Sequence, residues 1–275
     1  MAPGGLVPGR RAGNELPAER TAGRGNLRSV LPKGLFGADN AGMLPETLKR
    51  WPAGPVMRVV LVGEVLLVVG LFVAYAMWAL PIPKGDVSGL RWYHVAFPVF
   101  LIAFPIAVNL LHGDRPVDSG IRLDNLRPAA REGGVALVIM AGGLLISGAI
   151  LGGYHTVPLG VLAGRAGMYI GWGPVQQYLL NAFGLRRLRQ AGLPDPLAVV
   201  AASGLFSLCH APNWVLVALA WGAGVVWGTL FLRNRNLLVL GFCHALLAVL
   251  LYHVWPVDWT ENLTIGGDYL NRMSR

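Results

Sequence analysis

Two Cys-His pairs, Cys209-His210 and Cys243-His244, lie inside segments whose other residues are almost all apolar. An imidazole that leaves water for hydrocarbon needs hydrogen-bonding partners, and ionisable side chains inside membrane segments usually belong to functional sites. Adjacent residues of a helix point about 100° apart, so a cysteine and its neighbouring histidine do not easily face one ion. We therefore treat the histidines as candidate site residues and the cysteines as small apolar packing residues.

The apolar composition indicates an integral membrane protein. Of the 275 residues 54% are hydrophobic and 13% are charged, and the mean hydropathy is +0.53, far from the average of soluble domains. We expect an all-α fold, a polytopic helical membrane bundle of about seven (six to eight) transmembrane helices. The predicted spans, set against the roughly 20 residues that cross the hydrocarbon core, are 57–80, 92–111, 134–153, 157–181, 196–211, 214–232 and 236–255.

Two of these spans are irregular. The fifth is short, and the fourth contains Arg165 and Gly173-Pro174. Because proline interrupts the hydrogen-bond ladder of a helix, the fourth segment could consist of two half-helices instead of one continuous span.

The distribution of positive charge predicts the topology, because cytoplasmic loops are enriched in Lys and Arg. With the N-terminus inside, 18 of the 23 Lys and Arg residues fall in inside segments, four fall outside and Arg165 lies within a span. We predict a multi-pass protein of the cell (inner) membrane with a cytoplasmic N-terminus. The net charge of +9 then reflects topology, and we expect no nucleic acid partner, because no aromatic or motif support accompanies the basic residues.

Three regions follow from this pattern. Residues 1–55 are predicted to be a disordered basic cytoplasmic arm, because the first 50 residues are rich in Gly, Pro, Arg and Ala and have no apolar run to offset the entropy of ordering. The transmembrane helical domain is expected over residues 56–256. Residues 257–275 are predicted to form a short C-terminal tail.

Three polar side chains are predicted to lie at a similar depth in the membrane. At a rise of ~1.5 Å per residue, Gln176 lies ~15 Å and His244 ~14 Å from the inside arginines, and His210 lies ~21 Å into its span. A pocket shared by the fourth, fifth and seventh spans would need such a common level. A single His or Gln in a membrane helix is often only an interhelical hydrogen-bonding residue, but three at a similar depth favour a site.

Three short motifs follow one another in this part of the chain. They are Gly173-Pro174 leading into Gln176-Gln177-x-x-x-Asn181, then Phe206-x-x-x-His210, and then His244-x-x-x-Ala248. In order and spacing they resemble the motifs of the CAAX-protease and bacteriocin-processing (CPBP, or Abi) family of intramembrane endopeptidases, which are Glu-Glu-x-x-x-Arg, Phe-x-x-x-His and His-x-x-x-Asn. The resemblance covers residues from about 171 to 250 and implies a CPBP-like core at about 157–255.

The resemblance implies a role for each matching residue. In such a protease the first Glu deprotonates a water with help from one His, and the second His and the Asn hold the oxyanion. The two histidines are kept here as His210 and His244, but Gln176 replaces the first Glu, and a primary amide can orient a water without accepting its proton. Ala248 replaces the Asn, and losing one oxyanion donor costs on the order of 10²–10³ in rate.

The second Glu and the Arg of the family motif are replaced together. In the family they would form a buried ion pair, and here Gln177 and Asn181 would form a neutral, hydrogen-bonded substitute. Because both partners change, no buried charge is left unpaired. Such a paired exchange is expected where a fold is retained and its site has changed.

Glu64 is the one residue among the 14 Asp and Glu that falls within a predicted span. At ~9 Å from the inside face, it is the candidate substitute for the missing base. The structural alternative is an interfacial glutamate that pairs with Arg58 or with an arginine of an inside loop.

Three functions from different classes remain open. The first is a diverged or inactive CPBP homologue that binds a membrane partner, such as a membrane or lipidated protein or peptide, in addition to membrane lipid. The second is an active intramembrane endopeptidase that uses His210 and His244 with an unorthodox base or a bound metal. The third is a histidine-based metal or haem protein; we expect no cofactor, with a metal ion on His210 and His244 as the alternative.

Overall fold

The computed structural model describes residues 54–80 and 92–274. Almost all of the predicted N-terminal arm lies outside these residues. Within the two described ranges the regular secondary structure is helical and includes no strand, which confirms the predicted all-α class.

Seven helical segments match the seven predicted spans, and shorter helices follow them. They are α1 (Pro55–Ala74), continued by a π-helix (Tyr75–Ala79); α2 (Tyr93–Leu111); α3 (Leu126–Leu151); α4 (Leu159–Gln177), continued by a π-helix (Tyr178–Leu185) and by α5 (Arg186–Gln190); α6 (Asp195–Leu208); α7 (Trp214–Asn234); α8 (Leu237–Val254); α9 (Val257–Thr260), followed by a 3₁₀ turn (Glu261–Leu263); and α10 (Gly266–Met273).

Five of these helices are long and apolar enough to cross a membrane, namely α1 with its π-helix, α2, α3, α7 and α8. The remaining two predicted spans form helices but do not meet both criteria. Helix α4 carries Arg165, Gln176 and Gln177 among its 19 residues, and α6 has 14 residues, which extend only ~21 Å. Helix α4 continues through Pro174, so the expectation of two half-helices is not met.

The seven segments run alternately between two ends of the bundle. We call one of them the arginine end, defined by the loop 112–125, by α5 and by the turn 234–236 between α7 and α8. There Arg186 contacts Asp114 at 2.6 Å, and Leu237 N donates to Gly120 O at 2.9 Å. The arginine-rich segments that the sequence assigns to one side of the membrane therefore lie together.

Burial and neighbouring positive charge lower the pKa of Arg235, which lies in the turn between α7 and α8. Burial lowers the pKa of this guanidinium to about 10, with further lowering from Arg189 and Arg186. The effect shows that these loop arginines are close neighbours in space, although they are far apart in the sequence.

Small residues allow the central helices to approach closely. A Cβ added to Gly173 would lie 2.6 Å from Gly241 O, and one added to Gly241 would lie 2.7 Å from Pro174 Cα. Helices α4 and α8 therefore cross with their backbones in contact, as small residues permit in membrane bundles. Helix α7 packs on α6 in a similar way, because a Cβ on Gly224 would lie 2.9 Å from Ser203 Cβ.

Candidate functional site

The two glutamines lie at the end of α4, where the helix changes from α to π geometry. The π-helix Tyr178–Leu185 follows Gln177 directly, and short π segments inside α-helices are frequent at functional sites. Gln177 and Asn181 are both fully buried. Asn181 Nδ2 donates to Gln177 Oε1 at 2.7 Å, which is the hydrogen bond expected when two amides replace an ion pair.

Gln177 also reaches across to α8. Its Nε2 lies 3.0 Å from His244 Nδ1, and because an amide nitrogen only donates, His244 Nδ1 is the unprotonated ring nitrogen and Nε2 carries the hydrogen. Asn181, Gln177 and His244 thus form a neutral chain of hydrogen bonds between α4 and α8. The sequence argument placed Gln176, not Gln177, beside the histidines.

The aromatic ring of Phe206 contacts both histidines. Its centroid lies 5.3 Å from that of His210 and 6.4 Å from that of His244, in edge-on arrangements. His210 follows the end of α6, where its backbone N donates to Ser207 O at 2.9 Å. The Phe-x-x-x-His spacing therefore places Phe206 between the two imidazoles.

A cavity of about 1070 Å³ lies between the helices, and Gln176, Phe206, His210, His244 and Ala248 all line it. Apolar residues from all seven long helical segments form most of the remaining wall. Of the residues that the structure describes, no Asp, Glu, Lys or Arg lines the cavity. The site is thus a mostly apolar chamber whose polar lining groups include two imidazoles, one amide, the Ser147 hydroxyl and the tyrosines Tyr75 and Tyr169.

Two of the lining residues carry buried polar atoms that have no hydrogen-bond partner within the described protein, Gln176 Oε1 and His210 Nδ1. Buried polar atoms are nearly always paired in folded proteins. Both atoms are therefore available to a water molecule or to a polar group of a ligand.

The C-terminal segment closes part of the cavity, which the sequence analysis did not foresee when it assigned a short tail. Leu263 and Ile265 belong to the lining, and Asn213 Nδ2 holds the segment by donating to Thr260 O at 2.9 Å. Gly266 has a φ of +63°, and a Cβ there would lie 2.1 Å from a backbone oxygen of the first π-helix. The Gly266-Gly267 pair was the available sequence signal for this close packing.

Glu64 does not line the cavity that holds His210 and His244. Its carboxylate lies 2.9 Å from Arg187 Nε and 3.3 Å from His112 Nε2. Arg187 is fully buried and also donates to Asn109 Oδ1 at 2.7 Å. These contacts match the structural alternative, in which Glu64 pairs with an arginine of an inside loop.

Within the described part of the chain, no group of three or more His, Cys, Asp or Glu side chains is arranged to hold a metal ion. The two cysteines also differ in position: Cys243 is buried in the core, whereas Cys209 lines the cavity. A metal ion on His210 and His244 stays a prediction without a further ligand from these residue types.

Comparison with known protein families gives a match over part of the chain. Residues 173–250 match the family model described as Rce1-like, type II CAAX prenyl endopeptidase. The searches of curated proteins and of solved structures found no significant match. The matched segment begins at the Gly173-Pro174 crossing and contains both histidines. Over residues 173–250 the chain is therefore similar to the type II CAAX prenyl endopeptidases, which confirms the resemblance to the CPBP/CAAX protease family and, together with the apolar helices, supports a CAAX-protease-like membrane protein.

Proposed function

We propose that this protein is a diverged, non-hydrolytic relative of the CAAX proteases that binds a lipid-modified peptide or protein segment in its cavity. The observation that carries the proposal is the composition of the cavity wall. Two histidines and Phe206 stand where the family has them, while Gln176 takes the place of the general base and no carboxylate from the described residues lines the cavity.

The lack of a carboxylate argues against efficient hydrolysis. Water attacks a peptide carbonyl efficiently only when a nearby group accepts its proton, and the amide of Gln176 has no such capacity. His244 Nδ1 already accepts a hydrogen bond from Gln177. The methyl group of Ala248 offers no hydrogen bond to an oxyanion, so the arrangement lacks two of the groups that the family motif supplies.

The same cavity suits binding. Its volume of about 1070 Å³ lies just above the range of roughly 300–1,000 Å³ for ligand pockets, which are mostly apolar with a few polar groups. An isoprenoid chain would lie against the apolar wall. Gln176 Oε1 and His210 Nδ1, which have no partner in the described protein, would bond the peptide portion.

The place of the protein in the cell follows from the charge distribution. Because arginine-rich segments gather at one end of the bundle, the positive-inside rule supports a cell (inner) membrane protein whose N-terminus is cytoplasmic. The cavity would then open to ligands that are themselves held in the membrane by a lipid group.

A binding experiment tests this proposal. Purified full-length protein in detergent is titrated with a fluorescent farnesylated peptide ending in a CAAX sequence, and Ala248→Phe is compared with Ala149→Phe. Ala248 lines the cavity, whereas Ala149 is exposed on α3. We expect Ala248→Phe to weaken binding at least ~10-fold, because a lost 1.4 kcal/mol is tenfold in affinity, and Ala149→Phe to leave the Kd unchanged. Equal Kd values for both variants and the wild type would refute binding in the cavity.

An active endopeptidase is the second candidate, and one observation favours it. His210 Nδ1 is buried, lies on a cavity-lining residue and has no partner within the described protein, so the imidazole could act as the base. In that case cleavage of the same peptide would be readily measured and would be lost in His210→Ala.

A further inference from the structure

Three buried nitrogen atoms without hydrogen-bond partners in the described protein gather at the end of the bundle opposite the arginine end. They are Arg165 Nε, His155 Nε2 and His253 Nε2. Arg165 lies in α4, His155 in the loop between α3 and α4, and His253 in the last turn of α8. None of the three lines the cavity of the proposed function, so they form a separate group.

The three side chains surround the ring of Tyr252. Arg165 Cζ lies 3.3 Å from the centroid of that ring. The rings of His155 and His253 lie 6.0 Å apart, at 5.8 Å and 5.3 Å from the Tyr252 ring. His155 is held in place because its Nδ1 donates to Gly153 O at 3.0 Å, which leaves Nε2 as its unpartnered nitrogen.

The charge of this group is positive, and no carboxylate of residues 54–80 or 92–274 neutralises it through an ion pair. The positive charge is that of Arg165, because a guanidinium stays protonated in proteins. Its position over Tyr252 is a cation–π contact, which leaves the Nε–H unbonded. A permanent positive charge beside the two imidazoles disfavours a metal cation and favours an anion.

The position of the group indicates where an anion would come from. Helix α3 ends at Leu151 and α4 begins at Leu159, so Arg165 is only six residues, or ~9 Å, from the end of its helix. Arginines at this depth extend toward the membrane–water interface. The neighbouring surface of α4 is apolar and exposed, as is typical of a lipid-facing surface: Leu159 is 79% exposed and Met168 is 55% exposed.

We propose that Arg165, His155 and His253 form a binding site for a phosphate group, and that an anionic phospholipid headgroup supplies it. Arg165 and His253 donate hydrogen bonds to the phosphate oxygens, and the ring of His155 packs beside that of His253. Charge-assisted hydrogen bonds of this kind are the strong ones, and arginine suits phosphate by its planar, forked geometry. This site does not depend on the proposed function of the cavity.

The experiment measures lipid affinity in delipidated, purified full-length protein. Thermal unfolding, followed by tryptophan fluorescence, is recorded against increasing phosphatidylglycerol, inorganic phosphate or uncharged diacylglycerol. The variants are Arg165→Gln, His253→Asn and, as a matched control, Arg127→Gln. Arg127 is an exposed arginine at the start of α3, near the arginine end, so it shares the charge change without the site.

We expect phosphatidylglycerol to raise the Tm of the wild type and of Arg127→Gln equally. Arg165→Gln should weaken its apparent affinity at least ~10-fold, as the loss of a charged hydrogen bond predicts, and His253→Asn should weaken it several-fold. Because His253→Asn keeps the arginine, it tests the site even where Arg165→Gln fails to fold. Diacylglycerol, which lacks the phosphate, should have little effect.

Two other results would overturn the lipid assignment or the site itself. If inorganic phosphate stabilises the protein through Arg165 and phosphatidylglycerol does not, the phosphate comes from solution and the lipid assignment is wrong. If phosphatidylglycerol affinity is the same within twofold in wild type, Arg165→Gln and His253→Asn, no phosphate site exists at these residues.

Discussion

Gln177 Nε2 donates a hydrogen bond to His244 Nδ1 across 3.0 Å, and these two residues connect α4 to α8. The bond fixes the tautomer of the imidazole without introducing a charge. The resemblance to the family motif implies a glutamate at the position of Gln177. An amide there keeps a hydrogen bond to the histidine but cannot accept a proton.

The two adjacent glutamines should respond differently to the same substitution. Gln177→Leu leaves His244 Nδ1 and Asn181 Nδ2 buried without partners, at a cost of about 1–3 kcal/mol for each group. Gln176→Leu strands no partner, because Gln176 Oε1 has none within the described protein. We expect the free energy of unfolding to fall by about 2–6 kcal/mol in Gln177→Leu and hardly at all in Gln176→Leu, as measured by thermal unfolding in detergent. Equal losses would show that the bond to His244 contributes nothing.

The crossing of α4 and α8 should tolerate no side chain at Gly241. In Gly241→Ala the new Cβ would lie 2.7 Å from Pro174 Cα, so α4 must move and carry Gln176 and Gln177 away from His244. We expect a loss of about 1–3 kcal/mol in stability and weaker binding of the farnesylated peptide. The control is Gly167→Ala on the partner helix α4, where no atom lies within 4 Å of the added Cβ. Unchanged binding in both variants would contradict this account of the site.

Glu64 should act on stability and not on ligand binding. Glu64→Gln weakens the contact with the fully buried Arg187, and we expect a loss of about 1–3 kcal/mol because a buried charged group loses its partner. The Kd for the farnesylated peptide should stay within twofold of the wild-type value. His210→Ala should show the reverse pattern. If Glu64→Gln abolishes a measurable cleavage while the Tm stays constant, Glu64 is the substitute base after all.

From their similar depth the sequence predicted that Gln176, His210 and His244 share one cavity, and all three line it. The sequence could not predict that Gln177, rather than Gln176, contacts His244. That choice depends on the rotation of α4, which the Gly173–Gly241 contact and the π-helix set together. The sequence also did not predict that the C-terminal segment closes part of the cavity. Gly266 and Asn213 contact backbone that is distant in the sequence, and such contacts produce no periodic pattern of residues.

The predicted number of spans, seven, exceeds the five helices that are long and apolar enough to cross a membrane. The sequence alone does not show where individual polar residues lie. Hydropathy along the sequence treats α4 as a membrane segment, although Arg165, Gln176 and Gln177 lower its apolar character. In the structure these polar residues lie at three different sites: Gln177 is buried between helices, Gln176 lines the cavity, and Arg165 stacks on Tyr252. Hydropathy averaged over a window of the sequence cannot distinguish these three environments.

Restoration of the family residues provides the reference for the activity test. The variant Gln176→Glu, Gln177→Glu, Asn181→Arg and Ala248→Asn carries the complete motif. The arginine is needed because new carboxylates without a cation would be buried unpaired and would destabilise the bundle. General base catalysis and one oxyanion donor each contribute on the order of 10² or more in rate, so this variant should show turnover well above that of the wild type.

The most direct measurement is the mass of the peptide after incubation with the wild-type protein. Purified full-length protein in detergent is mixed with the farnesylated CAAX peptide, and bound and free peptide are analysed by mass spectrometry beside the restored variant and His210→Ala. Our account predicts that the wild type retains the peptide intact and that only the restored variant releases the cleaved product. Rapid cleavage by the wild type that His210→Ala abolishes would contradict it.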